Sequence, residues 1–254
     1  MAQSGGLPAV RTIDAKAPFR WLGGAWGDLF RAPLPCLSYG LILAIVSFCL
    51  AYALIVSDAA FWVLALTIGF VFVAPILAMG LYEAGRLIEQ GATPTLKDML
   101  YVRAAIRQDI AYLGLALVLI YLLWGRVAQI VYGLSTYQLH RTVEDFVAYA
   151  VGTSDGHAML FAGTLIGGGF AFFTYCLVVV SAPMLLDQNA NVFAATATSV
   201  RAVAQNIGPM TLWALIIAVL TLSTAATGFF GLVIVFPWLG LASWRAYRDL
   251  VPDP

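Results

Sequence analysis

The sequence predicts an all-α, polytopic membrane protein with six transmembrane helices, arranged as three parallel hairpin repeats with short cytoplasmic interfacial helices. Of its 254 residues, 62% are hydrophobic and only 10% are charged, whereas roughly 25% are charged in a typical soluble domain. Six segments are apolar over about the 20 residues that a helix needs to cross the hydrocarbon core. A recurring proline motif groups these segments into pairs.

The six predicted spans follow one another along most of the chain. Only the turn at Ser57-Asp58 separates the first two and only Thr227-Gly228 the last two, so each pair is expected to form a tight hairpin. The predicted spans are residues 33–57, 59–81, 110–133, 158–186, 209–226 and 228–245.

All residues from 1 to 254 are expected to form a single integral membrane domain. A cytoplasmic N-terminal segment with an amphipathic helix would precede three hairpin repeats, the second with an outer loop and the third beginning with another interfacial helix. In that order the segments are residues 1–31, 33–81, 82–186 (outer loop 134–157) and 187–254.

A proline motif recurs near the ends of the second and sixth spans. The segment "FVFVAPILAMGLYEAGR" aligns with "LVIVFPWLGLASWRAYR", which pairs Pro75 with Pro237 and Arg86 with Arg248. The segment "VVVSAPMLLD", with Pro183, is a weaker third copy. Proline removes one helical hydrogen bond and kinks a helix, so these prolines are expected to bend spans where they face protein. Two spans per unit make the repeats parallel.

Lysine and arginine are distributed unevenly between alternate loops. If the N-terminus is cytoplasmic, eleven of these residues lie in inner segments and only Arg126 and Arg141 in outer ones. The positive-inside rule then places both termini in the cytoplasm. We therefore expect a multi-pass membrane protein with a cytoplasmic N-terminus and a cytoplasmic C-terminus.

Each hairpin is preceded by a short segment with helical periodicity. The apolar face of "FRWLGGAWGDLFR" consists of Phe19, Leu22, Trp26, Leu29 and Phe30, and that of "VFAATATSVRAVAQNI" consists of Phe193, Ala197, Val200, Ala204 and Ile207. The segment "TLKDMLYVRAAIRQ" is a less regular version. A helix that lies at the lipid headgroups with its apolar face toward the membrane fits this pattern; a docking surface for a soluble partner is the alternative.

Several short motifs resemble a known family. The twin AP-x-L segments, the arginine after each and the segment "NIGPM" at Asn206 to Met210 resemble a bacterial family of six-span integral membrane proteins of unknown function, over nearly the whole chain. This resemblance implies a location in the bacterial inner (cytoplasmic) membrane. Some of its members are labelled cytochrome c oxidase subunit one, which would imply several histidines inside the membrane. The only histidines, His140 and His157, lie in the predicted outer loop, so we expect no haem-copper core.

The outer loop holds the one candidate for a metal site. His140 and His157, with Glu144, Asp145 and Asp155, carry ligand types that suit zinc or copper. The two histidines match no compact metal motif, so solvated loop residues are the favoured interpretation. HExxH, GxSxG and GxxxxGK[ST] motifs are absent from the sequence. We expect a protein that is not an enzyme and has no cofactor.

Gly163 and Gly167 form a GxxxG motif in the fourth predicted span. Such a motif allows two helices to approach closely. We expect it to serve packing within the monomer; homodimerisation through the same face is the alternative.

Charged residues lie at the edges of the predicted spans. Glu83 and Asp187 end two of them, and Arg126 lies where it can extend to the outer interface or pair with Glu144 or Asp145. Ion-coupled transporters keep charged groups along their pathway, so this pattern does not favour one. Arg126, Asp187 and Glu83 are therefore weak functional candidates.

Two classes of function fit the sequence. The first is a non-enzymatic accessory, assembly or scaffold subunit of a larger membrane complex, with a respiratory complex as one option. The alternative is a channel or carrier for a small or apolar solute. A filled centre favours the first and a continuous central cavity the second. The zero net charge provides no basic field for nucleic acid, so the expected partners are the lipid bilayer and a membrane complex.

Overall fold

The computed structural model describes residues 7–57, 59–137, 140 and 142–252, and all regular elements within these ranges are helical. Asp58 and Arg141, assigned above to an outer turn and an outer positive charge, lie outside the described residues. The α-helices are α1 (Ala17–Arg31), α2 (Pro33–Val56), α3 (Ala60–Leu77), α4 (Met79–Glu89), α5 (Leu96–Leu100), α6 (Gln108–Ser135), α7 (Val143–Gly152), α8 (Ser154–Val178), α9 (Ser181–Asp187), α10 (Val192–Gln205), α11 (Ile207–Ser223) and α12 (Leu232–Leu250).

Four helical stretches are long and apolar enough to cross a membrane. They are α2, α6, α8 together with α9, and α11 with the 3-10 turn that follows it. The pair α3 and α4, bent by 42° at its break, makes a fifth if it is counted as one span. α12 is not among them, because Arg245, Arg248 and Asp249 occupy its last turns. The described residues thus contain four to five candidate spans, and the sixth span and the hairpin repeats stay predictions.

The predicted outer loop, residues 134–157, contains a helix that the sequence interpretation did not include. α7 occupies ten of its residues. Thr142 caps this helix, since its side-chain oxygen accepts a hydrogen bond from the Asp145 N–H at 3.1 Å. The segment is therefore ordered rather than an extended loop.

α12 lies at the centre of the fold. It packs along α1, α2 and α4 and also contacts α9 and α11. The approach to α2 depends on Gly40, because a Cβ at this position would lie 2.5 Å from the Val233 carbonyl oxygen. Pro237 lies inside α12, which continues unbroken through it to Leu250, and the predicted bend at this proline stays a prediction. Since protein surrounds α12 on several sides, it can carry charged residues near its end.

The short helices pack in a cyclic order. α5 packs against α4, α10 against α8 and α9, and α1 against α12. Each short helix therefore lies on the last helical segment of the preceding predicted repeat, and the first closes onto the last. α4, α9 and α12 also contact one another.

α1 and α10 each present two different faces. Most of the large side chains of the predicted apolar faces are exposed, as Phe193, Phe30 and Phe19 show with exposed fractions of 81%, 64% and 59%. Leu29, which the sequence placed on the same face of α1, is buried instead. Small, hydroxyl and selected larger side chains face the protein instead. In α10 these are Ala195, Thr198, Ser199, Ala202 and Val203, and in α1 they are Ala17, Pro18, Trp21, Ala25, Asp28 and Leu29. The exposed apolar faces suit helices at a membrane surface.

Candidate functional site: the charged end of the bundle

Charged side chains gather where α1, α4, α9 and α12 meet; we call this region the charged end. Seven ion pairs lie within it among the described residues, most of them between different helices. The pairs are Arg20–Asp14, Arg20–Asp249, Arg31–Asp28, Arg86–Glu83, Arg245–Asp28, Arg248–Glu89 and Arg248–Asp187. The charged end is therefore a network rather than a set of isolated surface charges.

The most buried carboxylate of the network joins α1 to α12. Arg245 donates to both carboxylate oxygens of Asp28, at 2.5 and 2.8 Å, in a bidentate arrangement. Asp28 is 5% exposed. Gly24, one turn earlier in α1, leaves room for the guanidinium, because a Cβ there would lie 2.6 Å from Arg245 Nη1. A buried carboxylate needs such a partner, so this pair fixes α1 on α12.

Arg248 connects α12 to two further helices. Its guanidinium lies 3.1 Å from Glu89 of α4 and 3.5 Å from Asp187 of α9. Trp244 donates its indole N–H to Glu89 at 3.0 Å, and Tyr247 donates its hydroxyl to Asp187 at 2.7 Å. One segment of α12 thus holds the carboxylates that end both α4 and α9.

Two polar clefts open on different faces of α4. One, of about 580 Å³, is lined by residues such as Arg31, Arg245 and Glu89. The other, of about 630 Å³, is lined by residues that include Glu83 and Arg86. Since acidic and basic groups face each other in both, the clefts have little net charge.

Chain segments outside the long helices are also fixed at the charged end. The Arg11 N–H donates to the Leu250 carbonyl at 2.9 Å. Asn206 accepts from the Ile13 N–H at 2.8 Å and donates to the Arg11 carbonyl at 3.0 Å. Arg107 donates to two carbonyls of α9 and the loop after it. The N-terminal segment and the loop between α9 and α10 are thus part of the same rigid unit.

Two exposed carboxylates of this region have lowered pKa values. Hydrogen bonds from Thr95, at 2.7 Å from its hydroxyl and 2.9 Å from its backbone N–H, hold the pKa of Asp98 below its usual value. They belong to the capping box that begins α5. A hydrogen bond from Arg20 lowers the pKa of Asp14 in the same way.

The structure brings four of the predicted site residues together at the charged end: Glu83, Arg86, Asp187 and Arg248. Arg86 pairs with Glu83 within α4, with contacts of 2.5 and 2.9 Å. The predicted prolines lie in the elements next to this end, Pro75 inside α3, Pro183 in the buried α9 and Pro237 inside α12.

The other weak candidate and the glycine motif lie elsewhere. Arg126 is exposed on α6 and donates to Gln129 at 3.2 Å; among the described ion pairs it contacts neither acidic residue of α7. A Cβ at Gly167 would lie 2.7 Å from the Trp124 ring of α6, whereas a Cβ at Gly163 would meet nothing within 4 Å. Close packing in this part of α8 therefore depends on Gly167.

The two histidines lie in separate surroundings. His140 Nδ1 is 3.0 Å from the Tyr132 hydroxyl, and its ring stacks on Tyr149 with centroids 4.4 Å apart. His157 Nε2 is 2.9 Å from the Val151 carbonyl oxygen. Within the ranges that the structure describes, no group of three His, Cys, Asp or Glu residues is placed to hold a metal ion.

Sequence reasoning missed Asp28, Glu89 and Arg245. Asp28 is the only acidic residue in α1, a helix that otherwise carries aromatic, small and basic residues. An acidic residue alone among such neighbours is a signal for a partner in another element. The sequence could not identify Arg245 as that partner, because the two residues are separated by almost the whole chain.

Residues 63–187, from within α3 to the end of α9, match a family described as predicted integral membrane protein, DUF2189. The chain is a multi-pass integral membrane protein. The match is shorter than the resemblance over nearly the whole chain that the motifs suggested, since it excludes α1, α2 and α10 to α12. It includes Pro75, Arg86, Gly167 and Asp187. No curated protein and no solved structure matches the chain significantly.

Proposed function

We propose that the protein is a non-enzymatic scaffold or accessory subunit of a larger bacterial inner-membrane complex, with a respiratory complex as the first to test. The observation behind this proposal is that the charged side chains pair with one another. Their ion pairs join α1, α4 and α9 to α12. A protein whose ionic groups are engaged in its own bundle is suited to hold a fixed shape.

The small size of the apolar cavities in the bundle favours a scaffold over a transport pathway. Three apolar cavities in the described part of the chain are small, about 70, 90 and 80 Å³. The first two share Thr221 in their linings, and the third is lined by other residues. A channel needs a continuous opening between the two ends. The alternative function is a channel or carrier for a small or apolar solute. The cavity beside Pro75 supports this alternative, although it has room for only a few small molecules.

Long apolar helix faces are available to a membrane partner. α6 exposes Leu115, Leu119 and Leu122, and α8 exposes Phe161 and Leu165. In the membrane such faces contact lipid or another membrane protein. We propose that a partner subunit covers part of this surface.

The proposed arrangement has six spans in three parallel hairpins, with α12 as the sixth span. The cyclic packing of α1, α5 and α10 on the preceding segments supports it, as does the equivalent placing of Arg86 and Arg248 near the ends of α4 and α12. Arginine is concentrated at the charged end, so the positive-inside rule assigns this end to the cytoplasm. A periplasm-active reporter at the C-terminus should then be silent, and an active one contradicts this orientation.

Purification from native membranes tests the function. A tagged copy is cross-linked, extracted in a mild detergent and analysed by mass spectrometry. We expect a defined set of membrane subunits, with cross-links that map to α6 or α8. Recovery of the monomer alone would contradict the scaffold proposal. Release of a small solute from proteoliposomes faster than from empty vesicles would favour the channel or carrier.

A further inference from the structure

A small, partly open cavity lies between the helices of the bundle, beside the bend between α3 and α4. Its volume is about 90 Å³. Residues of α3, α4, α8, α11 and α12 all line it, so it lies at the junction of five helices. Most of its lining is apolar, and it includes Pro75 of α3 and Gly240 of α12.

Three hydroxyl-bearing side chains of this lining make no hydrogen bond to any described residue: Tyr82, Thr221 and Ser243. Tyr82 is only 5% exposed, so bulk solvent does not reach most of its side chain. A fourth hydroxyl of the lining, that of Tyr175, donates to the Met210 carbonyl at 2.8 Å. Thr221 and Ser243 are half-buried. A hydroxyl that faces a cavity without a protein partner is normally bonded to water, so the hydroxyl of the buried Tyr82, with two further hydroxyls beside it, requires an explanation.

Pro75 leaves one backbone carbonyl beside the cavity without a hydrogen-bond donor. Proline has no N–H, so the carbonyl of Val71, four residues earlier, loses its helical hydrogen bond. Val71 and Pro75 both line the cavity. In α12 the carbonyl that Pro237 leaves without a donor, that of Val233, is covered by the backbone of α2 at Gly40. No described side chain donates to the Val71 carbonyl.

We propose that this cavity holds a cluster of ordered water molecules, which bridge the hydroxyls of Tyr82, Thr221 and Ser243 to the Val71 carbonyl. A water molecule occupies about 30 Å³ in the liquid and needs two to four polar partners when buried. The cavity has room for about three such molecules, and its lining provides both hydrogen-bond donors and acceptors.

The water cluster gives the α3–α4 bend its internal support. In lipid, backbone groups that a proline or a helix break leaves free must find partners inside the protein. Water at this site supplies them without a dedicated side chain. The proposal does not depend on the scaffold function, because it concerns the interior of the bundle alone.

Radiolytic hydroxyl labelling of the unmodified protein in lipid nanodiscs tests the proposal. Side chains that contact ordered internal water are oxidised even where bulk solvent cannot reach them, and mass spectrometry locates the modified residues. We expect Tyr82 to be labelled. Tyr247 is the control, because it is the same residue type, is fully buried, does not line the cavity and has its hydroxyl engaged with Asp187. Protection of Tyr82 equal to that of Tyr247 would overturn the proposal.

Thermal unfolding of variants distinguishes a hydrated cavity from a dry one. If water is bound, Tyr82→Phe removes a hydrogen-bonded group and the Tm should fall by roughly 2–4 °C. If the cavity is dry, the same change removes an unpartnered hydroxyl and the Tm rises. Thr221→Val and Ser243→Ala should follow Tyr82→Phe, and the double variant of Tyr82 and Ser243 should show a non-additive shift because they share water. A rise in Tm, or an acyl chain in the cavity, contradicts the proposal.

Discussion

The α3–α4 pair and α12 contain the same motif and fold differently. Pro75 and Pro237 occupy the same position in it, as do Arg86 and Arg248. Nevertheless α12 continues unbroken to Leu250, whereas α3 ends two residues after its proline and α4 continues at a bend of 42°. The proline therefore does not by itself decide whether a helix breaks.

The neighbouring helix α2 accounts for the difference. Against α12 it presents Gly40, whose missing Cβ lets the α2 backbone cover the carbonyl that Pro237 leaves free. Against α3 it presents Tyr39, whose hydroxyl donates to the Leu77 carbonyl at 2.7 Å. That carbonyl is the last of α3. A glycine thus allows one helix to continue, and a tyrosine stabilises the end of the other.

The third, weaker copy of the motif also contains a break, but it precedes Pro183, and α8 and α9 together form one candidate span. α8 ends at Val178 and α9 begins at Ser181. The Val180 N–H, which has left the helical pattern, donates to the Ser199 hydroxyl of α10 at 3.2 Å. Again a polar side chain of a neighbouring helix stabilises a break.

Substitution of Gly40 should have the largest effect on this comparison. A larger side chain forces α2 away from α12, so we expect Gly40→Leu to reduce the free energy of unfolding by about 3 kcal/mol. Chemical denaturation in a fixed detergent measures the change. Gly163→Ala is the matched control, because nothing lies within 4 Å of its added Cβ. Equal effects of the two substitutions would show that Gly40 has no special role.

Removal of the Asp28 carboxylate should have the next largest effect. Asp28→Asn leaves Arg245 without its bidentate partner, and because that arginine is partly exposed we expect a loss of about 2 kcal/mol. The control is Glu83→Gln, which breaks a pair within α4 and should cost less than about 0.5 kcal/mol. A double-mutant cycle with Arg245→Gln gives the coupling energy. A coupling energy near zero contradicts the view that this pair fixes α1 on α12.

Loss of the Tyr39 hydroxyl should have a smaller effect, confined to the bend. Tyr39→Phe leaves the Leu77 carbonyl without its donor, with an expected cost of about 1 kcal/mol. Hydrogen exchange should become faster in the first turn of α4 and stay unchanged in α12. Tyr52→Phe, at an exposed tyrosine of the same helix, serves as the control. Faster exchange in α12 as well would mean that Tyr39 acts on the whole bundle.

The smallest expected effect depends on pH and lies in α5. The pKa of Asp98 is lower in the folded protein than in the unfolded chain, so its contribution to stability is present above the usual carboxyl pKa of about 3.9. It is lost as the pH falls through the lowered folded value. Amide exchange in α5, corrected for the intrinsic rate, should therefore be less protected at acidic pH. Asp98→Asn should abolish this change, and an unaltered pH response in the variant contradicts the assignment.

The positions of the long helices followed from the sequence, because length and apolarity are local properties. The predicted 33–57 and 110–133 spans agree closely with α2 and α6. The alignment of Pro75 with Pro237 in the sequence did not predict that the two segments would have different shapes. Those shapes depend on Gly40 and Tyr39, which come from another helix.

The sides of the short helices that pack against the rest of the protein were harder to predict. The large apolar side chains of α10, such as Phe193, are exposed, and its small residues such as Ala195 and Ser199 are buried. Inside a membrane, close packing favours small residues because lipid is as apolar as a leucine side chain. The sequence analysis expected the large apolar side chains of α10 to face the membrane, but it did not identify the small residues that face the protein. The charged end was missed for another reason, since its pairs join residues that are distant in the chain.

The central claim is that neighbouring helices, rather than the prolines, determine where these helices break. The most direct test is a structure of the Pro75→Ala variant in nanodiscs, determined by cryo-electron microscopy with a rigid antibody fragment bound. Tyr39 still donates to Leu77 in this variant, so the account predicts a bend between α3 and α4 that remains near 42°. A single straight helix from α3 through α4 would contradict the account.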